Sequence, residues 1–156
     1  MANSAETLYR ERLWPAPWLF ISTALVIPAS LLVFLPINQT VGVIVAIVLY
    51  LGIVALLLVA APAIEVTRDE FLAGKARLPI PVIGDVAAFD GDEGRLERGQ
   101  RLDARAWLMI RGWIDPVVRI ELVDDNDPTP YWLVSSRRPE AVISALATAK
   151  QRTPGK

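Results

Sequence analysis

The chain begins with a short charged arm, turns apolar at Leu13, and then carries no Asp, Glu, Lys or Arg until Glu65. A helix in water keeps a polar face toward solvent, so a stretch this long without charge predicts a bilayer as its solvent. It divides into two spans, 18–35 (WLFISTALVIPASLLVFL) and 41–61 (VGVIVAIVLYLGIVALLLVAA), joined by Pro36-Ile37-Asn38-Gln39-Thr40. Each approaches the ~20 residues a helix needs to cross ~30 Å of hydrocarbon. Lipid offers the backbone no hydrogen bonds, so helix is predicted despite the many β-branched residues. Pro28 removes one backbone donor and predicts a kink in the first span. Gly42 and Ala46 make a small-xxx-small pair suited to close helix packing. Tyr9, Trp14 and Trp18 read as an interfacial aromatic belt.

Beyond the hairpin the pattern becomes short alternating runs. In 117–123, VVRIELV, Val118, Ile120 and Leu122 share one face, with Arg119 and Glu121 on the other. That is the period of a half-buried strand. Residues 107–111 and 131–135 read as strands of similar length, with earlier ones at 63–67, 71–73, 76–78 and 82–89. Segment 92–106 is polar, a short helix or a long loop. In 139–150, Val142, Ile143, Leu146 and Ala149 form one apolar stripe, which predicts a helix. The expected organisation is an interfacial arm (1–17), a transmembrane hairpin (18–61), a cytoplasmic domain (62–150) and a tail (151–156). The expected fold class is membrane α+β. After the hairpin comes a small, strongly bent sheet or barrel, closed by the C-terminal helix. This element order is similar to the pleckstrin-homology-like (PH-like) architecture.

Charge sets the predicted orientation. Arg10 and Arg12 precede the first span, Arg68, Lys75 and Arg77 follow the second, and the loop between has no basic residue. The positive-inside rule puts both termini in the cytoplasm, in a plasma (inner) membrane. The whole sequence has 16 basic and 17 acidic residues, which argues against nucleic acid as a partner. With no Cys and no His, thiolate chemistry, the commonest general base and the commonest metal ligand are all missing. No phosphate loop, dinucleotide fingerprint or nucleophile elbow occurs. No enzyme activity, cofactor or metal site is expected.

Several blocks are more specific: 9–14 (YRERLW), 102–106 (LDARA), 111–113 (RGW) and 127–139 (DPTPYWLVSSRRP). Together they resemble an actinobacterial family of small membrane proteins known as a domain of unknown function. The likeness covers nearly the whole chain. It implies a membrane location and no particular activity.

The candidate residues are few. Arg137 and Arg138 stand where the last helix begins, unfavourably placed against its positive dipole end unless an anion is near. They are candidates for binding anionic headgroups. Arg111, Trp113, Tyr131 and Trp132 are candidates for a partner surface, with core aromatics as the plainer reading. Asp124-Asp125-Asn126-Asp127 lacks the Gly and Glu of a calcium loop and reads as a turn. The resulting expectation is a membrane-tethered, non-enzymatic interaction or scaffolding protein. Its partners would be the bilayer and either another membrane protein or a second copy. The alternatives are an anionic-lipid sensor using Arg137 and Arg138, or an accessory subunit of a transporter or envelope complex packing through the Gly42 face.

Overall fold

The computed structural model describes residues 6–152. The chain forms two compact units, and the boundary between them cuts the sequence twice. One unit is the apolar hairpin, Trp14–Ala61. The other joins the segment before it, through Leu13, to everything from Pro62 onward.

The hairpin contains α1 (Pro17–Thr23), α2 (Val26–Phe34) and α3 (Gln39–Val59). Pro17–Phe34 and Gln39–Val59 are each long and apolar enough to cross a membrane. The first is two helices, where a single kinked one was expected. Pro28 accounts for the break: its ring crowds the carbonyl of Ala24 four residues back, and it has no N–H to offer that oxygen. Ile27 N donates to it at 3.0 Å instead, tightening the chain at residues 24–25. At the other turn Asn38 caps α3, its Oδ1 accepting from Thr40 N at 3.0 Å and Val41 N at 3.2 Å. Gly42 and Ala46 are the buried residues of α3. A Cβ added at Gly42 would stand 2.9 Å from Phe34 Cβ, so α2 lies against the glycine backbone.

The other unit holds two four-stranded sheets. In the first, β1 (Thr7–Arg12), β2 (Ala63–Thr67), β3 (Glu70–Ala73) and β4 (Ala76–Pro79) are antiparallel neighbours in that order. The expected interfacial arm is therefore a strand. Arg12 pairs with Ala63, Arg10 with Glu65 and Tyr9 with Val66 across the inserted hairpin. Tyr9, expected in an interfacial belt, is a partly buried residue of β1 packed against the domain core. A 3-10 turn (Ile80–Val82) leads to the second sheet. There β5 (Ile83–Phe89), β7 (Val117–Leu122), β8 (Tyr131–Ser135) and β6 (Trp107–Met109) lie in the order β5-β7-β8-β6, with β6 parallel to β8. The sheets remain separate, so the barrel alternative is corrected to two open sheets. Segment 92–106 contributes α4 (Gly91–Arg98), and α5 (Pro139–Arg152) ends the described chain.

The main core gathers Ile64, Val66 and Phe71 from the first sheet, Val118, Ile120, Trp132 and Val134 from the second, and Val142 and Leu146 from α5. Trp132 stacks on Trp107 at 4.1 Å between centroids and meets Phe71 edge-on at 6.3 Å. The opposite face of the second sheet is also covered. Val117, Tyr131 and Leu133 pack there with Phe89, Leu102, Ala106 and Ile110. Every residue of β8 is consequently buried. Strands covered on both sides lose the apolar/polar alternation, and YWLVS has none.

Candidate functional site

Strand direction sorts the charged residues of the domain by end. β1 runs toward Arg12, β2 starts beside it at Ala63, and the β3–β4 turn at Gly74-Lys75 closes the same end. Gly74 takes φ +63°, a left-handed conformation that favours glycine, and its N–H donates to Ala63 O at 2.8 Å. β8 also finishes here, so Ser136, Arg137 and Arg138 follow at this end. Arg111 joins them, its N–H donating to Ser135 Oγ at 2.9 Å. The chain leaves for the hairpin from this end and returns to it, at Leu13 and Pro62, whose backbones are bonded at 2.9 Å.

At its centre is Glu11. Its Oε2 accepts from Ser136 Oγ at 2.6 Å and from the Tyr9 hydroxyl at 3.0 Å, and its Oε1 accepts from Arg137 N at 2.9 Å. Ser136 Oγ in turn accepts from Arg138 N at 3.1 Å. The anion sought at the start of the last helix is thus a carboxylate of the chain itself, and it answers the dipole argument locally. Burial and the Glu11 hydrogen bond and charge push the Tyr9 hydroxyl up to about 12, partly offset by Ser136 and Arg138. Arg137 and Arg138 themselves are exposed.

The proposed partner surface does not assemble. Arg111 and Trp113 are partly exposed on the turn after β6, but Tyr131 and Trp132 are 3% and 6% exposed and belong to the two cores. Covering both faces of β8 removes them from solvent. Tyr131 instead ties the segment after α4 to the sheet, its hydroxyl accepting from Asp103 N at 2.8 Å and donating to Arg101 O at 3.3 Å. Arg119 lies over its ring, 4.1 Å from the centroid.

The same layer contains a buried carboxylate absent from the candidates above. Glu97, on α4, is 2% exposed and is held by Arg101 and Arg119, each at 3.3 Å. Arg119 Nε has no acceptor among the described residues. Asp103 bonds the Arg105 guanidinium, which with the Arg105 N–H lowers its pKa to about 2. Asp115 is lowered in the same way by Arg98. These carboxylates serve as structural counter-ions. In the 124–127 turn, Asp124 Oδ1 accepts from Asn126 N and Asp127 Oδ1 from Thr129 N, both at 2.9 Å.

The family model described as "Protein of unknown function (DUF3093)" matches residues 8–146. The chain belongs to this family. No curated protein and no solved structure matches it. The DUF3093 match starts within β1 and runs into α5, so it includes both strands that flank the hairpin and the Ser136–Arg138 turn that Glu11 holds. Of the sequence candidates, the DUF3093 fold brings Arg111, Arg137 and Arg138 to one end, together with Arg12 and Lys75. Gly42 and Ala46 lie inside the hairpin, and Tyr131 and Trp132 lie inside the domain.

Proposed function

We propose that this protein is a membrane-tethered, non-enzymatic interaction module. The hairpin spans the plasma membrane twice, both termini are cytoplasmic, and a PH-like domain is held at the inner leaflet. The observation that carries the reading is the position of the hairpin. It is inserted between two hydrogen-bonded strands, β1 and β2, and is not appended to one end. Two chain crossings hold the domain within a few residues of the bilayer, which restricts its reach and raises its effective concentration toward membrane-bound partners. The PH-like comparison rests on seven antiparallel strands in two sheets with a helix packed across them; parallel β6 is an addition. A non-enzymatic role is supported by the lack of Cys and His and by the pairing of Glu97, Asp103 and Asp115 with arginines.

The absence of native Cys makes the test direct. Thr40→Cys in the loop and Gly112→Cys in the domain are each reacted in intact cells with a membrane-impermeant maleimide. Thr40→Cys is expected to react, and Gly112→Cys only after permeabilisation. The same cells, treated with a short amine crosslinker, are expected to show the chain in a discrete species larger than one copy. Recovery of the chain without detergent overturns the membrane placement. A chain that stays in the membrane yet runs only as a monomer after crosslinking overturns the interaction role.

A further inference from the structure

The domain end from which the hairpin departs carries basic residues from both sheets. Arg12 closes β1, Lys75 is on the β3–β4 turn, Arg111 follows β6, and Arg137 and Arg138 follow β8. Lys75, Arg137 and Arg138 are exposed. The acids at this end are Glu11, whose oxygens accept from Ser136, Tyr9 and the Arg137 N–H, and Glu140 in the first turn of α5. On the α4 side the charges compensate one another, with Arg98 on Asp115, Arg101 on Glu93 and Arg95 on Asp92. Asp90 lies there too, at the start of α4. The turn between β7 and β8, with Asp124, Asp125 and Asp127, is at the other end, because β8 begins there and finishes beside Ser136.

We propose that Arg12, Lys75, Arg111, Arg137 and Arg138 form a docking surface for the anionic headgroups of the leaflet that the hairpin enters. The inference rests on the membrane placement proposed above and goes further by naming the partner of this end. Two features favour lipid as the occupant. The surface is at the same domain end as Leu13 and Pro62, and only three residues (14–16) and two residues (60–61) of chain separate these from the apolar helices. Its charge is also opposite to that of an anionic leaflet, which attracts basic side chains close to the surface. Glu11 already takes the Ser136 hydroxyl and the Arg137 N–H. Recognition therefore falls to the side-chain cations, which suits a diffuse charged surface.

The test uses the full chain with Gly112→Cys, a position where an added Cβ meets nothing within 4 Å. An environment-sensitive dye on that Cys reports the polarity beside Arg111. The labelled chain is placed in nanodiscs of phosphatidylcholine, alone or mixed with phosphatidylglycerol. A blue shift is expected with phosphatidylglycerol only, reversed at 1 M salt, where the screening length is about 3 Å. Arg137→Gln with Arg138→Gln, and separately Lys75→Gln, are expected to lower the docked-to-undocked ratio about five-fold per cation removed. Asp124→Asn with Asp125→Asn, at the far end, is expected to keep the parent shift. Identical emission in the two disc types, from a chain that has entered both, overturns the headgroup inference and leaves the membrane placement intact. The same shift produced by inorganic phosphate over phosphatidylcholine discs also overturns it, because the ligand is then a soluble anion. Failure to enter discs of either composition overturns the membrane placement and this inference together.

Discussion

Glu11 Oε2 and Ser136 Oγ are 2.6 Å apart although 125 residues separate them in sequence. One belongs to the strand that runs into the hairpin and the other to the turn that starts the last helix. The whole apolar hairpin lies between Glu11 and its strand partner Ile64. A hydrogen bond to a charged acceptor contributes ~1.5–3 kcal/mol, more than a neutral one. Glu11 therefore ties the entry of the hairpin to α5 as well as to β2.

Glu11→Ala leaves the Ser136 hydroxyl and the Arg137 N–H without their acceptor. We expect a loss of about 2 kcal/mol in domain stability, chiefly from the buried Ser136 hydroxyl, since an unmet buried donor costs ~1–3 kcal/mol. Glu11→Gln retains an acceptor and should lose less. Limited proteolysis in mild detergent reads both, with faster cleavage near the Ser136–Arg138 turn in Glu11→Ala. Equal protease resistance in parent and Glu11→Ala contradicts the tie.

Tyr9 supplies a pH-dependent signal from the same cluster. Its hydroxyl titrates at about 12 when folded, raised by burial and then by Glu11, against ~10 for an unperturbed tyrosine. The folded state favours the protonated phenol. The stability this gives is full below the unfolded value near pH 10 and is lost as pH rises through about 12. The tyrosinate absorbance missing from Tyr9→Phe should therefore develop only near pH 12. In Glu11→Gln it should develop at lower pH, because the hydrogen bond to a charged acceptor is gone.

Glu97 tests the buried layer beneath α4. It is 2% exposed between Arg101 and Arg119. Glu97→Ala is expected to cost about 1–3 kcal/mol, the range for leaving partly buried donors unmet, because Arg101 and Arg119 reach solvent and Arg119 keeps Glu121 at 3.6 Å. Exposed Glu93→Ala should cost at most about 1 kcal/mol. Thermal unfolding followed by tryptophan fluorescence compares the two.

The hairpin was legible because one physical cost governs it. Ionised side chains are expensive in hydrocarbon, and residues 13–64 contain none. The strands of 63–89 and 117–135 were legible from local alternation and turn residues. β1 was not: TLYRER reads as a charged juxtamembrane arm, and its partner β2 lies beyond the whole hairpin. No local pattern reports a pairing of that separation. The barrel expectation failed for a related reason, since alternation gives faces without giving the closure of sheets. Tyr131 and Trp132 could have been assigned to the interior from the lack of polar alternation in YWLVS. Glu97 could not, because GDEGRLER has the composition of a solvated segment. The carboxylate that meets the Arg137 N–H before the last helix was not legible either, because Glu11 is sequence-distant in the same way as β2.

Two glycines of α3 separate packing from composition inside the hairpin. Both Gly42 and Gly52 sit in the helix, and alanine at either removes the conformational freedom that makes helical glycine cost ~0.5–1 kcal/mol. Propensity alone predicts that both replacements stabilise. Their surroundings differ: a Cβ at Gly42 would fall 2.9 Å from Phe34 Cβ, whereas one at Gly52 meets nothing within 4 Å. Real Cβ contacts are longer than the first distance, so α2 must move away to admit even alanine. Overpacking of this kind typically costs ~1–3 kcal/mol, more than the helix gain. Gly42→Ala should therefore loosen the helix pair and Gly52→Ala should leave it unchanged or slightly tighter. In this Cys-less chain the readout is the rate of disulfide formation between cysteines at Leu31 and Val45, measured in detergent with each glycine variant. Slower closure in Gly42→Ala alone is the expected result, and equal rates in the two variants contradict close packing at Gly42.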